Sequence, residues 1–288
     1  MRKSIYWLAF IIIVLSIFAS VYGIFSNQGP GQSEFKSIFG EVISIYGKGL
    51  YRHDSIAMAS QAIAQDYVTL CLAVPLVIVS IYLTQKELLK GKLLLTGTLG
   101  YFLYTYASYS FLSMYNSMFL VYVILMSASF FAFALALMSF DIPKLPLYFE
   151  KKLPVKFIGW FLLFCSCLFG MMWLGRIVPP LLKNEPPVGI EHYTTLIIQA
   201  LDLGFVVPTG ILAGILLMKR KPFGYLLGSI LIVKFITLLT ALTAMIIRQM
   251  FVGILVSFIE IFIVVLINLM VIFCLIIILK NVKEPGRR

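Results

Sequence analysis

Three charged residues fall near the middle of apolar runs of the chain: Asp202, Lys234 and Glu260. A charged side chain in hydrocarbon costs about 2.5–3.5 kcal/mol on insertion scales, so such groups usually face a partner or a cavity. At a rise of 1.5 Å per residue, Asp202 is expected roughly 12 Å below the outer end of its run and Glu260 roughly 14 Å. Lys234 is expected roughly 20 Å down, with a stem long enough to rise. The three can therefore converge. Their chemistry would be the binding of a small solute or a proton relay. The plainer reading is a Lys234–Asp202 pair that joins two helices. Gln199, one turn outward of Asp202, and Asn268, two turns inward of Glu260, extend the polar network.

A second group is built from hydroxyls. Tyr101, Tyr104, Thr105 and Ser108 share one helical face by their spacing of i, i+3, i+4 and i+7. Such a face lines a polar cavity or serves as interhelical contact. A third group is the outer-surface alternative: Arg52, His53, Asp54, Glu191 and His192, which include both histidines. These types could support a membrane enzyme with its site outside the bilayer. A metal site needs three or four ligands held together, and nothing in the spacing fixes that, so no metal and no cofactor are expected. No nucleophile elbow, zinc-protease helix or phosphate-binding loop is present in the sequence. An enzyme is therefore the less favoured reading.

The elements that must position these groups follow from composition. Of 288 residues, 61% are apolar and 12% charged, with a mean hydropathy of +1.02. A soluble domain has about 45–50% apolar and about 25% charged residues. Soluble enzymes, disordered chains and disulfide scaffolds are excluded, the last because there are four Cys in a long chain. What remains is an all-α, polytopic transmembrane helix bundle. Eight runs are long enough to span: 6–25, 67–84, 93–113, 117–140, 157–178, 194–218, 223–247 and 251–279. Sixteen basic residues fall on one side (both termini and the even turns) and six on the other, with Lys234 inside a span. The positive-inside rule puts both termini in the cytoplasm, in a multi-pass protein of the cytoplasmic membrane. The net charge of +11 then belongs to the cytoplasmic face and its anionic lipid, and nucleic acid is not an expected partner. The expected partners are the bilayer and a small solute. The sequence names no protein partner, though a non-catalytic sensor or assembly partner, with the 35–46 segment as its docking surface, stays open as a third reading beside the solute site and the outer-surface enzyme.

The longest polar stretch is the outer loop 26–66. Within it Phe35, Ile38, Phe39, Val42 and Tyr46 recur at helical spacing, which predicts an interfacial amphipathic helix over 35–46. Asp54 or Ser55 is expected to cap a second short helix through about Gln65. The Pro-punctuated loop 141–156 divides one integral domain, 1–288, into two groups of four spans. A shift of 133 residues superposes Pro75 on Pro208, Lys86 on Lys219 and Gly91 on Gly224 without a gap. Two explanations stay open: a duplication giving a 4+4 parallel pseudo-repeat, or the shared composition of helix hairpins.

Several segments also resemble known proteins. They are Gly49-Leu50-Tyr51-Arg52-His53-Asp54, the run from Gly97 to Ser108, Tyr115-Asn116, and Asp202-Leu203-Gly204 with Pro208. Together they resemble an uncharacterised group of prokaryotic multi-span integral membrane proteins. The resemblance covers most of the chain. It implies residence in a membrane and carries no activity or substrate.

Overall fold

The computed structural model describes residues 2–284; Arg287 and Arg288, counted above among the cytoplasmic charges, lie outside the described residues. The chain forms long helices α1 (Arg2–Phe25), α2 (Ile56–Gln85), α3 (Leu89–Phe111) and α4 (Phe119–Met138). After the loop they are followed by α5 (Val155–Lys183), α6 (Ile197–Met218), α7 (Pro222–Phe251) and α8 (Phe258–Lys280). Seven of these are long and apolar enough to cross a membrane. The exception is α3, which carries Lys90, Lys92 and the hydroxyl-rich run. It is packed between α2, α4 and α7, and 17 of its 23 residues are buried. A helix surrounded by protein needs no lipid-facing stripe, so its composition is more polar. At 23 residues it is about 34 Å long, enough to span.

Each half has its own apolar core. Ile12, Tyr51, Leu99, Phe102, Tyr122 and Leu125 centre the first, and Leu162, Leu217, Ile232, Phe235 and Val271 the second. The halves meet where α7 lies against α2 and α3. The outermost helix, α8, buries a single stripe of Ile267, Val271, Cys274 and Ile278, spaced by four, three and four residues.

The shift of 133 residues recurs in the backbone. Helix α2 widens to a π-helix over Thr69–Ala73 and α6 over Asp202–Val206. Both segments end two residues before a proline, Pro75 and Pro208. A proline removes one ladder donor and crowds the carbonyl four residues back, and a wider turn relieves both effects. Both helices then end in one turn. Glu87 and Arg220 adopt positive φ (60° and 52°). Leu88 N–H donates to Leu83 O, and Lys221 N–H to Leu216 O. Gly91 and Gly224 then let the next helix press on the last. A Cβ at Gly91 would lie 2.5 Å from Thr84 N, and one at Gly224 2.2 Å from Leu217 N. The equivalent positions Gly97 and Ile230 also touch, a Cβ on Gly97 falling 2.9 Å from Ile230 O. A contact between equivalent positions is what a two-fold relation produces at its axis.

On the face that carries both termini, the chain end is tied across the bundle. Phe149 bridges Val282, Glu150 N–H donates to Asn281 O (2.9 Å), and Lys283 N–H donates to Tyr148 O (2.7 Å). The Glu284 carboxylate accepts from Leu89 N–H at 2.6 Å.

Three sequence expectations are corrected. Residues 35–46 are not a helix. They form an antiparallel hairpin of β1 (Ser33–Lys36) and β2 (Val42–Ile45), with Phe35 opposite Ile43. Gly40, at φ +84°, turns the chain, and the β-branched Val42, Ile43 and Ile45 suit a pleated strand. Ile38, assigned above to a lipid-facing stripe, sits at the hairpin tip and is 91% exposed. The outer loop also ends earlier than residue 66. Ser55 caps at Met58 N–H as expected, but the helix it starts runs without a break to Gln85. Finally, the last span begins at Phe258 rather than 251, because Gly253 (φ +82°) turns the chain first.

Candidate functional site

Helix α3 is the spine of the polar core, and its hydroxyls reach into both halves. Tyr101 faces α2. Its hydroxyl accepts from Gln65 Nε2 at 2.5 Å and lies 2.9 Å from Thr69 Oγ1. Gln65 Nε2 also donates to Thr105 Oγ1 (3.2 Å). Further out, Tyr109 donates to Ala62 O (2.9 Å) and to Asp66 Oδ1 (3.3 Å). Tyr51 donates to Asp66 Oδ2 at 2.6 Å. Asp66 is 2% exposed, and α1 lies directly on it: a Cβ on Gly23 would fall 2.1 Å from Oδ2.

Tyr104 faces the second half. Its hydroxyl donates to Asp202 Oδ1 (2.8 Å), while Trp173 Nε1 from α5 donates to Oδ2 (2.8 Å). The Lys234 ammonium stands 4.1 Å above the centroid of the Tyr104 ring. Lys234 and Asp202 are each 8% exposed. Lys234 Nζ has no hydrogen-bond partner and, among the described residues, no ion-pair partner. The shift of 133 residues pairs Thr69 with Asp202, Tyr101 with Lys234 and Asp66 with Gln199. A satisfied hydroxyl pair in the first half is thus an acid and an ammonium in the second.

Of the three charged residues singled out in the sequence, two come together and one does not. Glu260 is exposed in the first turn of α8. Its carboxylate accepts from Ser257 N–H (3.2 Å) and completes a capping box with the Ser257 hydroxyl. The Ser-x-x-Glu spacing is itself a helix-start signal, so the acid belongs to the cap. Gln199 is buried one turn from Asp202. Asn268 instead reaches Thr240 on α7, with Nδ2 3.5 Å from Oγ1. Sequence reasoning missed Trp173 and the whole Gln65–Asp66–Thr69 group. The signal for the latter was the capping Ser55. A helix begun there carries Asp66 ten residues in, about 15 Å deep.

The outer-surface group is assembled by the loop after the hairpin and the loop after α5. His192 Nε2 lies 3.0 Å from the His53 carbonyl oxygen. Tyr193, also missed, donates to Asp54 Oδ1 (3.0 Å) and accepts from Ser55 N–H (3.3 Å). Asp54 Oδ1 accepts Met114 N–H as well (3.0 Å). Burial pushes the Asp54 carboxyl up to about 6, against the pull of these two donors. Burial also raises Glu191. Arg52 Nε donates to His53 Nε2 (3.0 Å) beside an open cleft of about 160 Å³, whose other lining residues include Ser26, Gln28 and Asn116. Among the described residues neither imidazole is hydrogen-bonded to a hydroxyl or thiol that it could activate. Among the described residues no three His, Cys, Asp or Glu side chains gather to hold a metal ion. Comparison with protein-family models, curated proteins and solved structures gives no match to this chain.

Proposed function

We propose that this multi-pass membrane protein binds and transports a small solute at Asp202 and Lys234. One observation carries the reading: the buried Lys234 ammonium has three donors and no acceptor, beside an acid whose two oxygens are both satisfied. A buried cation left without an acceptor is costly, and a bound solute would supply one. The acid and the ammonium already neutralise each other. A solute of zero net charge, neutral or zwitterionic, therefore enters without adding an uncompensated charge to a low-dielectric site. The test is thermal unfolding of the purified chain in detergent against millimolar amino acids and neutral sugars. At least one should raise the midpoint of the wild type, as a ligand of the folded state must. Lys234→Met should abolish that rise. A rise that persists in the variant, or a panel that shifts nothing, overturns the reading.

The membrane is the cytoplasmic membrane of a prokaryote, with both termini in the cytoplasm. The support is the segregation of basic residues: Lys90, Lys152 and Arg220 share the face of the termini, while the hairpin lies on the other. In intact cells a membrane-impermeant thiol reagent should label Ser33→Cys and leave Ser4→Cys at the level of the unsubstituted chain. Labelling of Ser4→Cys alone would reverse the orientation.

A further inference from the structure

On the face that carries both termini, α1, the turn after α2, the start of α3 and the end of α4 enclose a cavity of about 290 Å³. Its floor is apolar and buried: Ile5, Leu95, Ala136 and Leu145 are each 5% exposed or less. Four charged residues line it, namely Arg2, Glu87, Lys92 and Asp141. Three of them have an opposite partner. Arg2 pairs with Glu87 at 2.9 Å, and Asp141 with Lys144 at 2.7 Å. Lys92 has no ion-pair partner among the described residues. It is half-buried, 4.3 Å above the centroid of the Phe140 ring, and gives one ammonium hydrogen to the Ser139 carbonyl oxygen. Two hydrogens remain. The cavity thus sets one uncompensated positive charge beside an apolar floor.

The equivalent place in the second half is filled. The shift of 133 residues puts Lys92 on Tyr225 and Glu87 on Arg220. Tyr225 is 3% exposed, packs on Phe149 with ring centroids 4.8 Å apart, and accepts from Arg220 Nη1 at 3.2 Å. Arg220 also donates to the Lys151 carbonyl oxygen (3.1 Å). The chain's own side chains close that joint, whereas its counterpart stays open around a cation. A half-buried cation in an open cavity is best satisfied by an anion that enters it.

We propose that this cavity binds one anionic phospholipid: the phosphodiester accepts from the Lys92 ammonium, with Arg2 at the mouth, and the glycerol backbone and first acyl carbons lie on the apolar floor. The charges balance, since a phosphodiester carries one negative charge and Lys92 one positive. A zwitterionic lipid brings its own ammonium and gains less. Tyr6 and Tyr148 line the cavity, as aromatic residues do at the level of the headgroups, and basic pockets between spans are suited to anionic headgroups. The site is separate from Asp202 and Lys234, and the proposal is independent of the solute reading.

Native mass spectrometry of the delipidated full chain in detergent tests it, by titration with dioleoylphosphatidylglycerol or dioleoylphosphatidylcholine. The wild type should bind the first phosphatidylglycerol roughly fivefold more tightly than the first phosphatidylcholine, the step expected of one basic residue near a membrane surface. Lys92→Gln should erase that preference. Lys151→Gln, which removes an exposed charge on the same face outside the cavity, should keep it. Arg2→Glu, at an exposed position, sets a second carboxylate beside Glu87 at the mouth. It should also erase the preference, and it serves if Lys92→Gln does not fold. No preference in the wild type overturns the proposal. So does a preference that survives both cavity variants, or one that Lys151→Gln removes equally, which would mean diffuse attraction to a basic face. Displacement of bound phosphatidylglycerol by millimolar inorganic phosphate would assign the cavity to free phosphate and overturn it as a lipid site.

Discussion

Lys234→Met lowers the thermal stability of the protein in detergent, and Asp202→Asn added to it restores part of the loss. Breaking a buried ion pair from one side costs about 3–5 kcal/mol, and replacing both members is close to neutral; Lys234 and Asp202 are neighbours without direct contact, so the loss is expected below that range. Asp202 keeps its donors Tyr104 and Trp173 in the single variant but loses the nearby ammonium. Glu260→Gln gives no rescue, since that carboxylate caps α8 in an exposed position. Thermal midpoints of the two single and two double variants decide the matter. Additive losses in the Lys234/Asp202 double variant would mean that the two charges are not coupled.

The second large effect is expected in the other half. Asp66→Ala removes the acceptor of the Tyr51 hydroxyl, which is buried with its ring 1% exposed. Tyr109 keeps the Ala62 carbonyl and loses less. An orphaned buried donor costs about 1–3 kcal/mol, and the space vacated under Gly23 adds a cavity term, so the total is about 3 kcal/mol. Adding Tyr51→Phe removes the orphan and returns part of that. A variant as stable as the wild type would show that Tyr51 finds another acceptor and that Asp66 does not organise the first half.

Much of this architecture was legible because lipid imposes a coarse code. Apolar runs of about 20 residues mark the bundle, and the aligned prolines and glycines mark where the two π-turns and the two tight helix turns recur. The helix ends were less legible, and the errors in the site are errors about ends. The last span was begun seven residues early, which turned a capping Glu260 into a buried charge. The second span was begun eleven residues late, which turned a buried Asp66 into a loop acid. In both cases the deciding information was a single capping serine, Ser257 or Ser55, and a hydropathy run does not register a cap. The hairpin was misread for another reason. Phe35, Ile38, Phe39 and Val42 satisfy a helical period, but Gly40 and the β-branched residues after it favour a turn and a strand. Trp173 had no local signal at all. Its role exists only through Asp202, which is 29 positions away.

The contact between Glu284 and the start of α3 bears on how the protein is made. Leu88, at the cap position, offers no side chain to the exposed amides of the first turn, and the carboxylate that answers Leu89 N–H comes from 195 positions later. The amide and its acceptor thus lie far apart along the described chain, and a nascent chain carries the start of α3 long before it carries Glu284; until then water, at the membrane face, is the available partner for that amide.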